Sequence, residues 1–209
     1  MNAKISSVPP RKRRKETSKR DAEASRARIL EAAKIRFSQN SYEGAGIREI
    51  AGDAGVDPAL VMRYFGSKEG LFREIASSAF DADDILSGGI SALPQQAVEM
   101  LMGTLDSAEW RRGYDPLRLL LASIGSPAAG PILSDYLDRD FVGPIAAAMD
   151  LKERDERAVI LAAQILGFAL VRIALAGRKG RRPRWAVLQR LLTKALDVTL
   201  SGGSREGAL

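Results

Sequence analysis

Ile47-Arg48-Glu49-Ile50-Ala51-Gly52-Asp53-Ala54-Gly55-Val56-Asp57-Pro58-Ala59-Leu60-Val61-Met62-Arg63-Tyr64-Phe65-Gly66-Ser67-Lys68-Glu69-Gly70-Leu71-Phe72 reads as two short helices joined by a tight turn, with the capped start of a third behind them. Arg48 to Ala54 forms the first helix. Gly55 follows where the chain must turn sharply, and glycine tolerates the positive φ such a turn needs. Asp57 is placed to accept a backbone N–H as an N-cap, and Pro58 fits the first position of the next helix. Ser67 caps the third. These pieces match a helix-turn-helix, a motif whose second helix enters the DNA major groove.

Composition narrows the function from the other side. The chain has 209 residues, enough for one or two domains with a real core, and 28% of them are charged. It contains no cysteine and no histidine, which removes disulfides, thiol and imidazole catalysis and the usual structural zinc sets. No cofactor motif or metal set is expected. The net charge of +6 is unevenly spread. Residues 1–20 carry eight Lys or Arg and one acid, residues 21–72 are near neutral at −1, and residues 73–209 balance at 17 of each sign. An excess of positive charge beside a helix-turn-helix points to an anionic polymer as partner. The first residues lack the apolar core of a secretory signal. The 19-residue apolar stretch from Ala158 to Ala176 contains Gln164 and Arg172 and has charged flanks, so a buried interface helix is expected rather than a membrane span, and a cytoplasmic location follows.

Outward from the motif, the periodicity is helical throughout. Residues 1–20 are basic and poor in large apolar side chains and are expected to be disordered alone. Arg26 to Phe37 places Ile29, Leu30, Ala33 and Phe37 on one face. Ser41 to Gly46 is a loop, and Gly46 takes the N-cap of the next helix with Glu49 three residues on, half of a capping box. Ser67 should open a long helix running to about Leu86. Further helices are predicted from Pro94 to Trp110, from Asp115-Pro116 to near Gly125, from Ser126-Pro127 through Met149 with a kink at Gly143-Pro144, over 155–176, and over 184–200. A basic loop, 178–184, and a Gly/Ser tail, 201–209, complete the chain. About nine helices and no strand make the fold class all-α, with a DNA-binding unit over 21–68 and a helical unit over 69–200.

A recognition helix meets base edges with its N-terminal residues and seats its other face on the domain. Pro58, Ala59 and Leu60 occupy that tip, while Val61 and Phe65 face inward. Arg63 is the candidate for a bidentate contact to guanine. Its competing reading is a solvated helix charge. Arg48 is placed to reach a base or phosphate, Tyr64 to offer its phenol to a phosphate oxygen, and Lys68 to hold a phosphate at the start of the third helix. Tyr42 is assigned to packing. The basic arm follows the duplex backbone, enters a minor groove, or acts as a solvated electrostatic tether. In the apolar half, Gln164 and Arg172 lie eight residues apart on roughly one face. A charge there pairs across a dimer interface, points into a cavity or reaches water, and Arg118 poses the same question.

The pattern Arg28-Ile29-Leu30, Ala32-Ala33, Phe37, Tyr42, Ile50-Ala51, Ala54-Gly55-Val56, Tyr64-Phe65, Ser67-Lys68-Glu69 and Leu71 resembles the TetR family of bacterial transcriptional regulators. There are departures. Ser41 stands where the family often has Gly, Gly46 where it often has Thr or Ser, and Met62 where it often has a phosphate-touching Tyr. The resemblance implies homodimers through helices 155–176 and 184–200 and a cavity for a small-molecule effector within residues 73–180. The apolar content of that half offers Phe80, Met100, Leu117, Leu121 and Phe168 as its lining, with Arg172. Ordinary core packing is the competing account of each.

The expected function is a sequence-specific double-stranded-DNA-binding regulator, a ligand-released repressor acting as a homodimer on a palindromic operator. The alternatives are a protein-interaction module or non-specific DNA binder that keeps the fold, and a helical enzyme working through carboxylates or a lysine. For an enzyme, no acids stand at a spacing that brings them together.

Overall fold

The structure, a computed structural model, describes residues 11–79, 82–103, 113–175 and 184–201. Its elements are α1 (Arg11–Gly44), α2 (Ile47–Ala54), α3 (Pro58–Phe65), α4 (Lys68–Ala76), α5 (Asp83–Leu86), α6 (Leu93–Gly103), α7 (Pro116–Ser123), α8 (Ala129–Leu137), a π-helical segment (Asp138–Val142), α9 (Gly143–Ala147), α10 (Arg154–Leu175) and α11 (Trp185–Ser201). Taking 129–147 as one irregular helix and setting aside the single turn 83–86, nine helices and no strand stand among the described residues. The fold is all-α, as the periodicity predicts.

The N-terminal unit closes around α1. Ile29, Ala33 and Phe37 recur at helical spacing and are fully buried against Ile50, Ala51 and Ala54 of α2, Val61 of α3 and Leu71, Phe72 and Ile75 of α4. Phe37 stacks on Tyr42 at 5.8 Å between centroids, and both rings meet Phe72 edge-on at 5.1 Å. Truncating Phe37 or Phe72 would therefore cost on the order of 3–5 kcal/mol. The C-terminal unit packs α7 along α1, α8 against α4, and α10 against α11. In α10 the buried positions Ala158, Leu161, Ala162, Ile165 and Ala169 follow the 3.6 period.

Three expectations need correction. Helix α1 begins at Arg11, so residues 11–20 continue the helix instead of forming an unstructured arm. Their Lys, Arg and Glu content is a good helix former, and a packed helix downstream removes the nucleation cost. Residues 1–10 and the tail 202–209 lie outside the described residues, as do the basic loop at 178–183 and the Trp110 end of the predicted helix. Helix α4 stops at Ala76 instead of running to Leu86, with a separate turn, α5, beyond it. Ser77 and Ser78 bond their hydroxyls back to the carbonyls of Glu74 (2.8 Å) and Ile75 (3.0 Å), which competes with helix continuation. The irregularity predicted at Gly143-Pro144 sits just before it, as a π-helical segment. Pro144 has no N–H for the Asp140 carbonyl, and the Ala82 N–H donates to that carbonyl instead, at 3.2 Å.

Candidate nucleic-acid interface

The local sequence fixes the turn geometry. The Gly46 N–H donates to the Glu49 carboxylate at 3.0 Å, the half capping box expected where the N-cap has no side chain. Gly55 adopts φ 64° and ψ 41°, and the Val56 N–H returns to the Ala51 carbonyl at 2.9 Å. Asp57 accepts the Ala59 N–H at 2.7 Å, Pro58 opens α3, and Gly66 closes it at φ 73°. Ser67 accepts the Gly70 N–H at 2.9 Å and caps α4. Gly70 has a further role. A Cβ there would lie 2.2 Å from the Phe65 carbonyl oxygen, so the close passage of α3 against α4 requires glycine.

On this frame α3 buries Val61 and half-buries Tyr64 and Phe65, while Ala59, Met62 and Arg63 are exposed together on the outer face. Pro58 and Leu60 are half-buried at the tip. Arg48 is exposed at the start of α2. The Arg63 guanidinium rests over the Tyr64 ring at 5.5 Å, an interaction that leaves its donors available. Behind the helix, Arg26 covers the Phe65 ring at 5.1 Å and bonds Glu74 at 2.5 Å, joining α1 to the C-terminal end of α3 and to α4. Arg36 is tied to Asp53 and Arg73 to Glu69, so these two charges are committed within the chain.

Lys68 is more constrained than its sequence position suggests. Its ammonium lies 4.6 Å from the centre of the Tyr42 ring and donates to the Glu43 carbonyl at 3.5 Å. Partial burial draws its pKa below the usual lysine value, and the charges of Glu43 and Glu49 oppose that shift. Tyr42 packs, as assigned, and its hydroxyl is pushed up by burial. Glu43 in turn accepts a hydrogen bond from the Ser126 hydroxyl, which lowers its pKa, and Ser126 accepts the Ala129 N–H at 3.0 Å at the start of α8. One chain of contacts thus runs from Lys68 into the C-terminal unit. Sequence reasoning did not find this chain, because Glu43 and Ser126 are 83 residues apart. It also left Met62 out of the exposed face of α3, although Met62 stands three residues after Ala59 on the same helix.

The residues offered for an effector cavity do not come together as one group. Phe80 lies outside the described residues. Met100 and Leu121 are 45% and 40% exposed, facing away from the core of the single chain. Leu117 and Phe168 are half-buried against the core. Arg172 is only 2% exposed and is enclosed within one chain, so it neither lies at a surface nor reaches bulk water. Burial lowers its pKa and the Asp115 carboxylate opposes that. Asp115 also caps α7, accepting the N–H groups of Leu117 (2.8 Å) and Arg118 (3.0 Å). Gln164 accepts from the Thr199 hydroxyl at 3.2 Å, joining α10 to α11. A groove of 390 Å³ lies elsewhere, between α6 and α11, lined by Gln95, Glu99, Gln189, Arg190 and Thr193 among others. Among the described residues no cluster of acids holds metal-binding geometry, and no helix is long and apolar enough to cross a membrane.

Comparison with known proteins places this geometry. Residues 29–75 match the model for bacterial regulatory proteins of the tetR family, and residues 93–196 match the tetracyclin repressor-like C-terminal domain. The HTH-type transcriptional regulatory protein RaaS of Mycobacterium tuberculosis is 48% identical over 67 residues, 32% of this chain and 30% of that one. The HTH-type transcriptional repressor AcnR of Corynebacterium efficiens is 32% identical over 99 residues, 46% of this chain and 47% of that one. These curated relatives are thus matched over less than half of their length. NalD of Pseudomonas aeruginosa, the secondary repressor of the MexAB-OprM multidrug efflux pump, superposes with a TM-score of 0.61 at 20% identity, covering 90% of this chain and all of that one. A tetR-family structure from Rhodococcus gives 0.61 at 19% identity, over 85% of this chain and 99% of that one. The two family models meet the two halves of the fold in order, the first over the helix-turn-helix and the second over the helices behind it, and on that ground the chain belongs to the TetR family of DNA-binding transcriptional regulators.

Proposed function

We propose that this protein is a homodimeric repressor in the cytoplasm that reads a palindromic operator and leaves it when a small molecule binds the C-terminal unit. The observation that carries the reading is the outer face of α3. Ala59, Met62 and Arg63 are exposed together on a helix whose other side is locked by Val61, the Asp57 cap and the Gly70 contact. Arg63 supplies a bidentate donor for guanine, and Ala59 and Met62 supply apolar contacts for a thymine methyl. Arg48, Tyr64 and Lys68 take phosphates and set the register.

Support for the dimer comes from α10 and α11. Val159, Ile160, Leu170 and Val171 on α10 and Leu191 and Val198 on α11 are exposed in the single chain. Large apolar side chains left exposed along two long helices suit a helix-to-helix interface. A two-fold dimer would set the two α3 helices one DNA turn apart, ~34–36 Å. A ligand that binds better to a conformation with another spacing would shift the population off DNA.

The test is to sequence the genomic fragments that the purified protein retains at moderate salt, with sedimentation run alongside. One enriched palindrome and a dimer that V171D/V198D makes monomeric are expected. Retention without enrichment would leave a non-specific binder, and a monomer at micromolar concentration would remove the palindrome.

A further inference from the structure

Ser126 does more than cap a helix. It lies in the turn between α7 and α8 and is only 8% exposed. Its Oγ accepts two backbone N–H groups at the start of α8, from Ala128 at 3.2 Å and from Ala129 at 3.0 Å. Those bonds occupy both lone pairs of the oxygen and leave its one proton to be donated. The carboxylate of Glu43, an exposed residue at the end of α1, accepts it. The start of α8 therefore sets where the Glu43 side chain points.

Glu43 also stands beside Lys68. Its main-chain carbonyl accepts from the Lys68 ammonium at 3.5 Å, a long bond, and the Tyr42 ring centre lies 4.6 Å from the same ammonium. Among the described residues Lys68 enters no ion pair. The Glu43 carboxyl is held below its usual range first by the Ser126 bond and further by the Lys68 charge, so it is ionised and near enough to feel that ammonium. A glutamate side chain is long enough to turn from Ser126 to an ammonium that already meets its own main chain. Two anions thus compete for Lys68, this carboxylate and a DNA phosphate, and each offers a charge-assisted hydrogen bond. By keeping the carboxylate occupied, Ser126 leaves the ammonium to the phosphate.

We propose that Ser126 and Glu43 are positioning residues for the Lys68 phosphate contact: the Ser126 hydroxyl holds the Glu43 carboxylate off the Lys68 ammonium, and losing that bond lets Glu43 take the place of a phosphate. The proposal rests on the reading of Lys68 as a phosphate ligand but not on the existence of an operator, because phosphates are the same on every sequence. It gives the C-terminal unit a hold on DNA affinity. Helix α8 packs on α4, which Lys68 begins, and a shift that parts the start of α8 from α1 releases the carboxylate.

The full chain is titrated with a 40-base-pair duplex of random sequence over a range of salt, and a urea midpoint is taken for each variant. K68Q sets the reference, with the slope of log affinity against log salt lowered by about one. S126A should lower the slope by about 0.5–1 and weaken binding roughly 3–8-fold at about 0.1 M salt, and adding it to K68Q should change nothing further. In E43Q, where the side chain has no charge with which to compete, S126A should leave slope and affinity where E43Q alone puts them. S126D keeps an acceptor to cap α8 but offers no proton and repels Glu43. It should match the S126A slope, its effect should shrink in E43Q, and it carries the test if the lost cap lowers the S126A midpoint. Parent-like slopes in S126A and S126D while K68Q loses its contact overturn the proposal and leave Lys68 a phosphate ligand. A loss of equal size for S126A in E43Q also overturns it and reduces Ser126 to a cap. A parent-like slope in K68Q removes the phosphate reading of Lys68 and this proposal with it. If the genomic selection finds no operator while these slopes behave as stated, the positioning role stands and the repressor reading falls.

Discussion

Ser41 should be improved by glycine. It sits at φ 64° and ψ 170°, where α1 breaks before Tyr42. That region of backbone space is populated almost only by glycine, and another residue there carries on the order of 1–3 kcal/mol of strain. Ser41→Gly relieves the strain. It also loosens the unfolded chain, which costs about 0.5–1 kcal/mol. The Ser41 hydroxyl accepts the Gly44 N–H at 3.4 Å, too long to contribute much. The balance is a gain of up to roughly 2.5 kcal/mol, centred on about 1, and in a chain of this size each kcal/mol raises Tm by roughly 2–4 °C. Urea unfolding at fixed protein concentration reads it directly, since dimerisation would otherwise move the midpoint. Ser41→Ala is the control, because it keeps the strain and loses only the weak contact, so it should be neutral or slightly destabilising. A glycine variant no more stable than the alanine variant would refute the argument. The family habit of glycine before this tyrosine then has a physical reason, and this chain carries a cost the habit avoids.

Four other outcomes follow. Gly70→Ala forces a methyl against the Phe65 carbonyl, so it should destabilise by about 1–3 kcal/mol and weaken DNA binding by moving α3 on α4, read by urea midpoint and by affinity together. Arg63→Ala should cost ~1–3 kcal/mol of discrimination at one base pair, and equal losses on every sequence in a binding selection would take Arg63 out of the reading role. Lys68→Gln should weaken all duplexes alike and lower the salt slope by about one; a changed sequence preference would contradict a phosphate role. With no histidine or cysteine, stability should be flat from about pH 6 to 8. The Arg36 bond holds the Asp53 carboxyl below its usual range, so its contribution is complete above about pH 4 and is lost as pH falls through the lower folded value; Asp53→Asn should shrink the acid-side slope of the urea midpoint.

What could be read from the sequence follows the range of the interactions involved. The helix-turn-helix was legible because its determinants are local: Asp57 caps two residues ahead, Gly55 turns in place, and Ser67 caps three residues ahead. Helix spacing in α10 and α11 was legible for the same reason. The end of α4 was not, because apolar spacing continues through Ala79 while the hydroxyls of Ser77 and Ser78 divert the backbone. The π-helical segment was half legible. Pro144 announces a missing donor, but the Ala82 N–H that serves the orphaned carbonyl comes from 58 residues earlier in the chain.

The same distinction bears on Lys68 and Arg172. Position alone makes Lys68 a phosphate ligand at a helix start. The structure adds that Tyr42 and the Glu43 carbonyl hold its ammonium, and that Glu43 is bonded to Ser126 in the C-terminal unit. Spacing alone marks Arg172 as an anomalous charge on an apolar helix. The carboxylate whose charge opposes its burial is Asp115, held by its cap on α7, a different helix. In each case the residue type was conspicuous and its meaning depended on a partner from a distant segment. The geometry of the outer face of α3 needed no such partner. That is why the helix-turn-helix could be argued from sequence, while the C-terminal half could be argued only by resemblance until packing showed that Met100 and Leu121 turn outward.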